Sequence, residues 1–243
     1  SAQADIVAYI AGATGYTGRE VVRLLCEAGV HTVAHVRPNS TRLDEWIERF
    51  TAMGAQVDAT PWENQPMRER LLHIKPTHVF GLLGTTRKRG KAARKEGLTE
   101  TYETIDYGLT ALLIQACKGW PTPPRFIYLS SLGVSKNAAS AYTKARWKTE
   151  TYLRESDLPH IIARPGFIPG PDRDDSRPGE VFGAKALDGI LSVVGALGGK
   201  NVQQRYRSIS NTHLARALIR GALESVEAHV VLESQELQRL GTP

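Results

Sequence analysis

Three glycines, Gly12, Gly15 and Gly18, are spaced G-x-x-G-x-x-G between a short apolar run and a segment of helical periodicity. Glycine at such positions permits a tight turn, lets backbone approach a bulky anion closely, and lets a helix pack tightly on a strand. With a strand over residues 5–11 and a helix over 19–28, the helix N-terminus faces that anion with its partial positive charge. The chemistry this supports is binding of a pyrophosphate, and so of a dinucleotide. An ordinary strand-to-helix turn is the competing explanation, and the correctly ordered flanks weigh against it. The end of the next strand, residues 31–37, bears on which dinucleotide. Sites for NAD usually carry Asp or Glu there, whereas this chain has Val36-Arg37, with Arg42 a little further on. A guanidinium matches a 2′-phosphate, so NADPH is expected in preference to NADH, against the alternative of a solvated strand-end arginine.

The elements that must position these residues follow from periodicity. Strands are expected at 5–11, 31–37, 55–60, 77–84, 125–131 and 160–164, and helices at 19–28, 41–51, 65–73, 100–118 and about 139–156. Pro121, Pro123 and Pro124 stiffen the loop before the fifth strand. Strand and helix in alternation imply an α/β fold of the Rossmann type, a doubly wound parallel sheet that binds ligands outside the carboxyl ends of its strands. Residues 1–165 would form that domain. Residues 166–243 would be a small C-terminal, substrate-side extension, with a Pro/Gly-rich loop at 165–179 and helices at 181–194 and 212–225, the whole being one domain.

Composition bounds the setting. A chain of 243 residues with 41% hydrophobic content can bury one sizeable core. Two cysteines suggest neither a disulfide framework nor a cysteine zinc site, and a reducing, cytoplasmic location is expected with no metal centre. No charged leader precedes an apolar stretch, and the most apolar late run, 190–197, is too short to span a bilayer, so no stable membrane insertion is expected. The net charge of +6 suits either a nucleic-acid ligand or a polyanionic cofactor.

With the loop in place, the chain resembles the atypical short-chain dehydrogenase/reductase group, and within it the Tat-interacting protein family of NADPH-binding oxidoreductases. The resemblance rests on motifs in order over residues 5–180. Leu83-Gly84-Thr85-Thr86-Arg87 closes strand four, Leu129-Ser130-Ser131 closes strand five, and Arg164-Pro165-Gly166 follows strand six. Asp172-Arg173 and Ser176-Arg177-Pro178-Gly179-Glu180 look like the family's signature loop. The resemblance implies cofactor contacts from Gly12, Thr14, Gly15, Tyr16, Thr17, Gly18, Arg37, Leu83, Gly84, Thr85, Pro165 and Gly166. It implies that Tyr142 is the general acid for a carbonyl oxygen and that Ser131 holds that oxygen. The family pairs its tyrosine with a lysine four residues on, where this chain has Arg146. Lys144 and Lys148, at i+2 and i+6, lie off the face of Tyr142. Arg146 can favour tyrosinate electrostatically but cannot relay a proton.

Two further features remain. The basic run from Arg87 to Lys95 has no interleaved aromatics and reads as a solvated face or a lid, not a nucleic-acid site. Val181, Phe182, Ile190, Leu191, Val193, Val194 and Leu197 would suit an apolar or aromatic small-molecule substrate if they line the cleft. The leading expectation is an NADPH-dependent reductase of such a carbonyl compound, monomeric or homodimeric. A non-catalytic NADPH/NADP sensor acting on a protein partner ranks second. An epimerase, dehydratase or isomerase ranks third, because the tail after residue 181 is short.

Overall fold

The apolar runs become strands buried on both faces, as a parallel sheet between helical layers requires. The computed structural model describes residues 5–85, 90, 94, 95, 97, 100–166, 168 and 209–243. In chain order the elements are β1 (Val7–Ala11), α1 (Tyr16–Glu27), β2 (His31–His35), α2 (Leu43–Ala52), β3 (Gln56–Asp58), α3 (Asn64–Ile74) and β4 (His78–Gly81). A π-helical stretch, Tyr102–Leu109, runs into α4 (Thr110–Cys117), followed by β5 (Arg125–Leu129), α5 (Ala141–Arg154) and β6 (His160–Arg164). The described chain closes with α6 (Asn211–Glu224), β7 (His229–Glu233) and α7 (Ser234–Leu240).

The seven strands lie in the order β3-β2-β1-β4-β5-β6-β7, and every pairing is parallel. Strand order reverses between β1 and β4, the position at which such sheets open a crevice for ligands. Alternation sorts the side chains into two cores. Ala8, Ile10, Ala34, Phe80, Ile127 and Ile161 face α1, α2 and α6, where Val22, Leu25, Phe50, Leu214 and Leu218 meet them. Tyr9, Val33, Val79, Phe126, Tyr128 and Ile162 face α3, α4 and α5 through Met67, Leu71, Leu113, Ile114 and Leu153.

Three differences from the sequence expectations matter. The single helix expected at 100–118 instead begins with the π-helical stretch, capped reciprocally by Thr101 and Thr104, whose hydroxyls each accept from the other's amide. Its widened turns bring Asp106 to full burial. Strands four and five end at Gly81 and Leu129, so residues 82–85 and 130–132 leave the sheet as loops over the crevice. Residues 229–243, which carry little periodicity, supply β7 and α7: His229 to Glu233 pair in register with His160 to Arg164. The end of the expected extension thus returns to the sheet. The helix expected at 181–194 lies outside the described residues.

Three histidines lie on the strands, His35 and His160 buried and His78 half-buried. His35 Nε2 donates to the Thr60 carbonyl at 2.8 Å, His78 Nε2 to the Ala222 carbonyl at 3.2 Å, and His160 Nδ1 to the Leu158 carbonyl at 2.8 Å. Burial holds all three below the ordinary histidine value. A depressed folded-state value means that the unfolded chain binds the proton first. The stability they contribute is therefore complete above about pH 6.5 and lost as pH falls through their folded values. Urea unfolding should accordingly give a free energy that declines between pH 7 and pH 5, and a flat profile across that window would contradict the assignment.

Candidate active site

The glycine loop is enforced by packing at two of its three glycines. Gly12 leaves β1 with φ +80°, and a Cβ there would lie 2.5 Å from the Leu82 carbonyl oxygen. A Cβ on Gly18 would lie 2.0 Å from the Gly12 carbonyl oxygen, so only glycine lets α1 seat against the turn. Gly15 is different: it is exposed, its φ is −71°, and its amide donates to the Gly12 carbonyl at 3.0 Å. It caps α1 without a side chain, and no acidic residue stands in the first turn. The positive end of a twelve-residue helix therefore has no carboxylate in its own first turn to neutralise it, which suits a bound phosphate. Thr14 and Tyr16 are half-buried and Thr17 is buried in this loop. The Tyr16 carbonyl accepts from Asn211 Nδ2 at 2.9 Å, and Thr212 Oγ1 donates to Glu20 at 2.9 Å, so the start of α6 braces the start of α1. No local pattern marks Asn211 for that task.

Beyond β2 arginines gather, several of them paired with carboxylates. Arg37 is exposed and its Nη1 donates to Glu100 Oε1 at 3.0 Å. The guanidiniums of Arg19, Arg42 and Arg49 stand 5.9, 4.9 and 4.8 Å from the ring centre of Trp46, close enough for cation–π attraction. Arg42 also forms a two-pronged pair with Glu45. This aromatic anchor was not singled out in the sequence, where Trp46 reads as one more apolar helix position.

Arg146 lies at the centre of a buried polar cluster beneath the crevice. Its Nη2 donates to Asp106 Oδ1 at 2.9 Å and to the Leu83 carbonyl at 3.5 Å. Its Nη1 donates to the Leu129 carbonyl and, at 3.3 Å, to the Tyr128 hydroxyl. Only Nε, among its donors, finds no partner in the described residues. Asp106 also accepts the Thr85 amide at 3.0 Å, and a Cβ on Gly84 would come within 3.2 Å of Arg146 Nη2. The loop Leu83-Gly84-Thr85 is thereby tied to α5. Burial opposes the charge on Arg146, but Tyr128, Tyr142 and Asp106 outweigh it and raise its value, so the guanidinium stays charged. Burial pushes the Tyr128 phenol up to about 12, keeping it a neutral donor or acceptor.

Tyr142 occupies the first turn of α5, half-buried. Its ring meets Tyr102 edge-on at 5.3 Å, and the Arg146 guanidinium lies 5.1 Å from its centre. Ser131 Oγ donates to the Leu132 carbonyl at 3.2 Å, and the Leu132 amide donates to the Pro165 carbonyl at 2.9 Å. Pro165 is buried and Gly166 half-buried beside that link. Lys148 is engaged elsewhere, with Glu103 and, at 4.0 Å, over the Tyr107 ring, while Lys144 is exposed. The structure thus brings Tyr142, Arg146 and residues 83–85 together, and it adds Asp106, which the sequence had not marked. Arg94 and Lys95 of the basic run are exposed, whereas Arg87, Lys88, Arg89 and Lys91, the signature loop and the apolar segment 181–197 lie outside the described residues. Among the described residues no group of three or more His, Cys, Asp or Glu could hold a metal ion, and no helix is long and apolar enough to cross a membrane.

Residues 12–183 match a family model described as NAD(P)H-binding, more than half of the chain. No curated protein matches the chain in sequence. Among solved structures, a Burkholderia cenocepacia J2315 protein described as a candidate epimerase superposes with a TM-score of 0.65 at 17% identity, covering 97% of this chain and 79% of its own. UDP-glucuronic acid 4-epimerase from Bacillus cereus, in complex with UDP-glucuronic acid and NAD, gives 0.61 at 16% identity, with 94% and 77% covered. The Bordetella bronchiseptica enzyme WbmH, in complex with NAD+, gives 0.61 at 18% identity, with 93% and 74% covered. At these identities the likeness is one of fold.

The loop geometry carries its own test. Gly18→Ala should force α1 away from Gly12 and weaken NAD(P)H binding more than about tenfold in a fluorescence titration, with the far-ultraviolet circular dichroism retained. Undiminished binding would mean that the nucleotide does not rely on this turn.

Proposed function

The chain belongs to the NAD(P)H-binding family, and from that premise we propose that it is an NADPH-dependent reductase of a small, apolar or aromatic carbonyl compound. The observation that carries this reading is the Tyr142 ring held edge-on to Tyr102 with the charged Arg146 guanidinium 5.1 Å from its centre, on the helix that Arg146 ties to the end of β5 and to the loop after β4. A cation held there favours the developing phenolate, which is what a tyrosine general acid needs. When bound, the cofactor supplies a hydride for the carbonyl carbon. Tyr142 gives its hydroxyl proton to the carbonyl oxygen, and Ser131 Oγ, released from Leu132, donates a hydrogen bond to that oxygen. Arg146 holds charge and geometry but moves no proton, so the proton that restores Tyr142 comes from solvent. The Tyr102–Tyr142 pair offers an aromatic wall to an apolar substrate.

The preference for NADPH is supported by Arg37, whose exposed guanidinium is oriented by Glu100, and by the arginines gathered on Trp46. Two free cysteines, Cys26 half-buried and Cys117 buried, suit the reducing, cytoplasmic setting we assign. A second reading has support of its own: with four donors of Arg146 committed to protein groups, the chain could bind the cofactor and sense its redox state without turnover. An epimerase draws its support from the named neighbours, and it would leave the cofactor's net redox state unchanged.

Two substitutions separate these readings. Tyr142→Phe should lower turnover with a responsive aromatic carbonyl by about a hundredfold or more while leaving NADPH affinity within about twofold. Equal turnover in the variant would remove Tyr142 from the mechanism, and a wild-type protein that binds both redox forms without turnover on any carbonyl would favour the sensor. Arg37→Ala should weaken NADPH about tenfold and leave NADH nearly unaffected, as expected for loss of one charge-assisted phosphate contact. Parallel loss for both cofactors would sink the assignment of Arg37.

A further inference from the structure

One turn beyond Arg146, α5 buries a second charge that the mechanism above does not use. Glu150 is fully buried, and all its accepting capacity is taken. Oε1 accepts from Ser130 Oγ at 2.5 Å and Arg164 Nε at 3.0 Å, and Oε2 accepts from Arg164 Nη2 at 2.6 Å and Arg154 Nη2 at 3.0 Å. The two Arg164 contacts form the parallel fork that fixes a guanidinium in both position and plane. Arg164 Nη1 then reaches Glu233 Oε1 at 2.9 Å, which carries the link to the end of β7.

The groups that Glu150 grips are the neighbours of proposed functional residues. Ser130 precedes Ser131, and Arg164 precedes Pro165-Gly166. Backbone pairing joins the same two loops, with the Ser130 amide on the Ala163 carbonyl at 2.8 Å and the Leu132 amide on the Pro165 carbonyl at 2.9 Å. We infer that Glu150 is a positioning residue: by clamping Ser130 and Arg164 from below, it sets the β5 and β6 loops that would face the nicotinamide half of the dinucleotide. The glycine loop and Arg37, which would take the adenosine half, are held by other contacts, namely the Gly12–Leu82 approach, Asn211 and Glu100. Loss of the clamp therefore acts on one half of the ligand.

This inference rests on the NADPH reading, and the test separates the two. Isothermal titration of wild type and Glu150→Gln is compared with NADPH and with adenosine 2′,5′-bisphosphate, which carries only the adenosine half. Gln keeps an acceptor for Ser130 but loses the charge that holds Arg164. The expected result is an NADPH dissociation constant raised about tenfold with the bisphosphate constant changed less than about twofold. A purely structural role would shift both ligands together, and that result, or no shift in either, overturns the inference. Should Glu150→Gln fail to fold, Ser130→Ala removes one arm of the clamp and spares the ion pairs. A selective loss of NADPH affinity of about threefold supports the inference, and an unchanged ratio of the two constants overturns it. Wild-type protein that binds neither ligand overturns the NADPH reading, and the inference with it.

Discussion

A charged guanidinium cannot remain in a protein interior unless its donors are satisfied and its charge is met. Arg146, 6% exposed, meets that demand by drawing together the Asp106 carboxylate, the Leu83 and Leu129 carbonyls and the Tyr128 hydroxyl. Those partners come from three separate parts of the chain: the π-helical stretch, the loop after β4, and the last two residues of β5. The loop after β4 and the end of β5 are consequently tied to α5 at one point. The π-helical turns are part of this solution, since they carry Asp106 to the strand ends, and Gly84 is another, since a side chain there would press on the guanidinium.

The face of α5 turned to the sheet repeats the device at each turn. Tyr142, Arg146 and Glu150 are four residues apart and so lie along one stripe, reading aromatic, cationic and anionic from the crevice inward. A stripe of this kind stabilises less than apolar residues of the same volume would, because each charge must first be desolvated. What it supplies is direction: each charge fixes particular loop atoms, where a hydrophobic contact would tolerate sliding. The helices on the other face, α1, α2 and α6, are by contrast seated on the sheet by apolar contacts, with Phe50, Leu214 and Leu218 fully buried.

Arg146, at the position where the resemblance to short-chain dehydrogenases implies a lysine, acquires a physical meaning in this setting. Lysine presents a compact ammonium with rotatable donors, whereas arginine presents a planar fork whose donors are aimed in fixed directions. Four of those donors are spent on the protein, and the fifth, on Nε, stays uncommitted among the described residues. The position has become a fixed source of positive charge beside Tyr142, with little freedom left to exchange protons or partners.

The order of strands and helices through β6 was legible in the residues themselves, because apolar runs of strand length alternate with segments of helical period, and each must bury its apolar face. The glycine loop was legible for the same kind of reason: backbone conformation and close approach restrict Gly12 and Gly18 whatever surrounds them. Tyr142 and Arg146 could be paired from their spacing alone, since four residues make one helical turn. The roles of Asp106, Glu150, Asn211 and Trp46, and the existence of β7, could not be read in advance. Asp106 meets Arg146 across 40 positions, Asn211 meets Tyr16 across 195, and Val230 and Val231 become strand only because β6 offers them a partner. Local sequence determined which segments could carry a dinucleotide and which turn would hold it. Tertiary structure alone decided where the charges went, because a buried charge is settled by whichever distant group the fold brings within hydrogen-bonding reach.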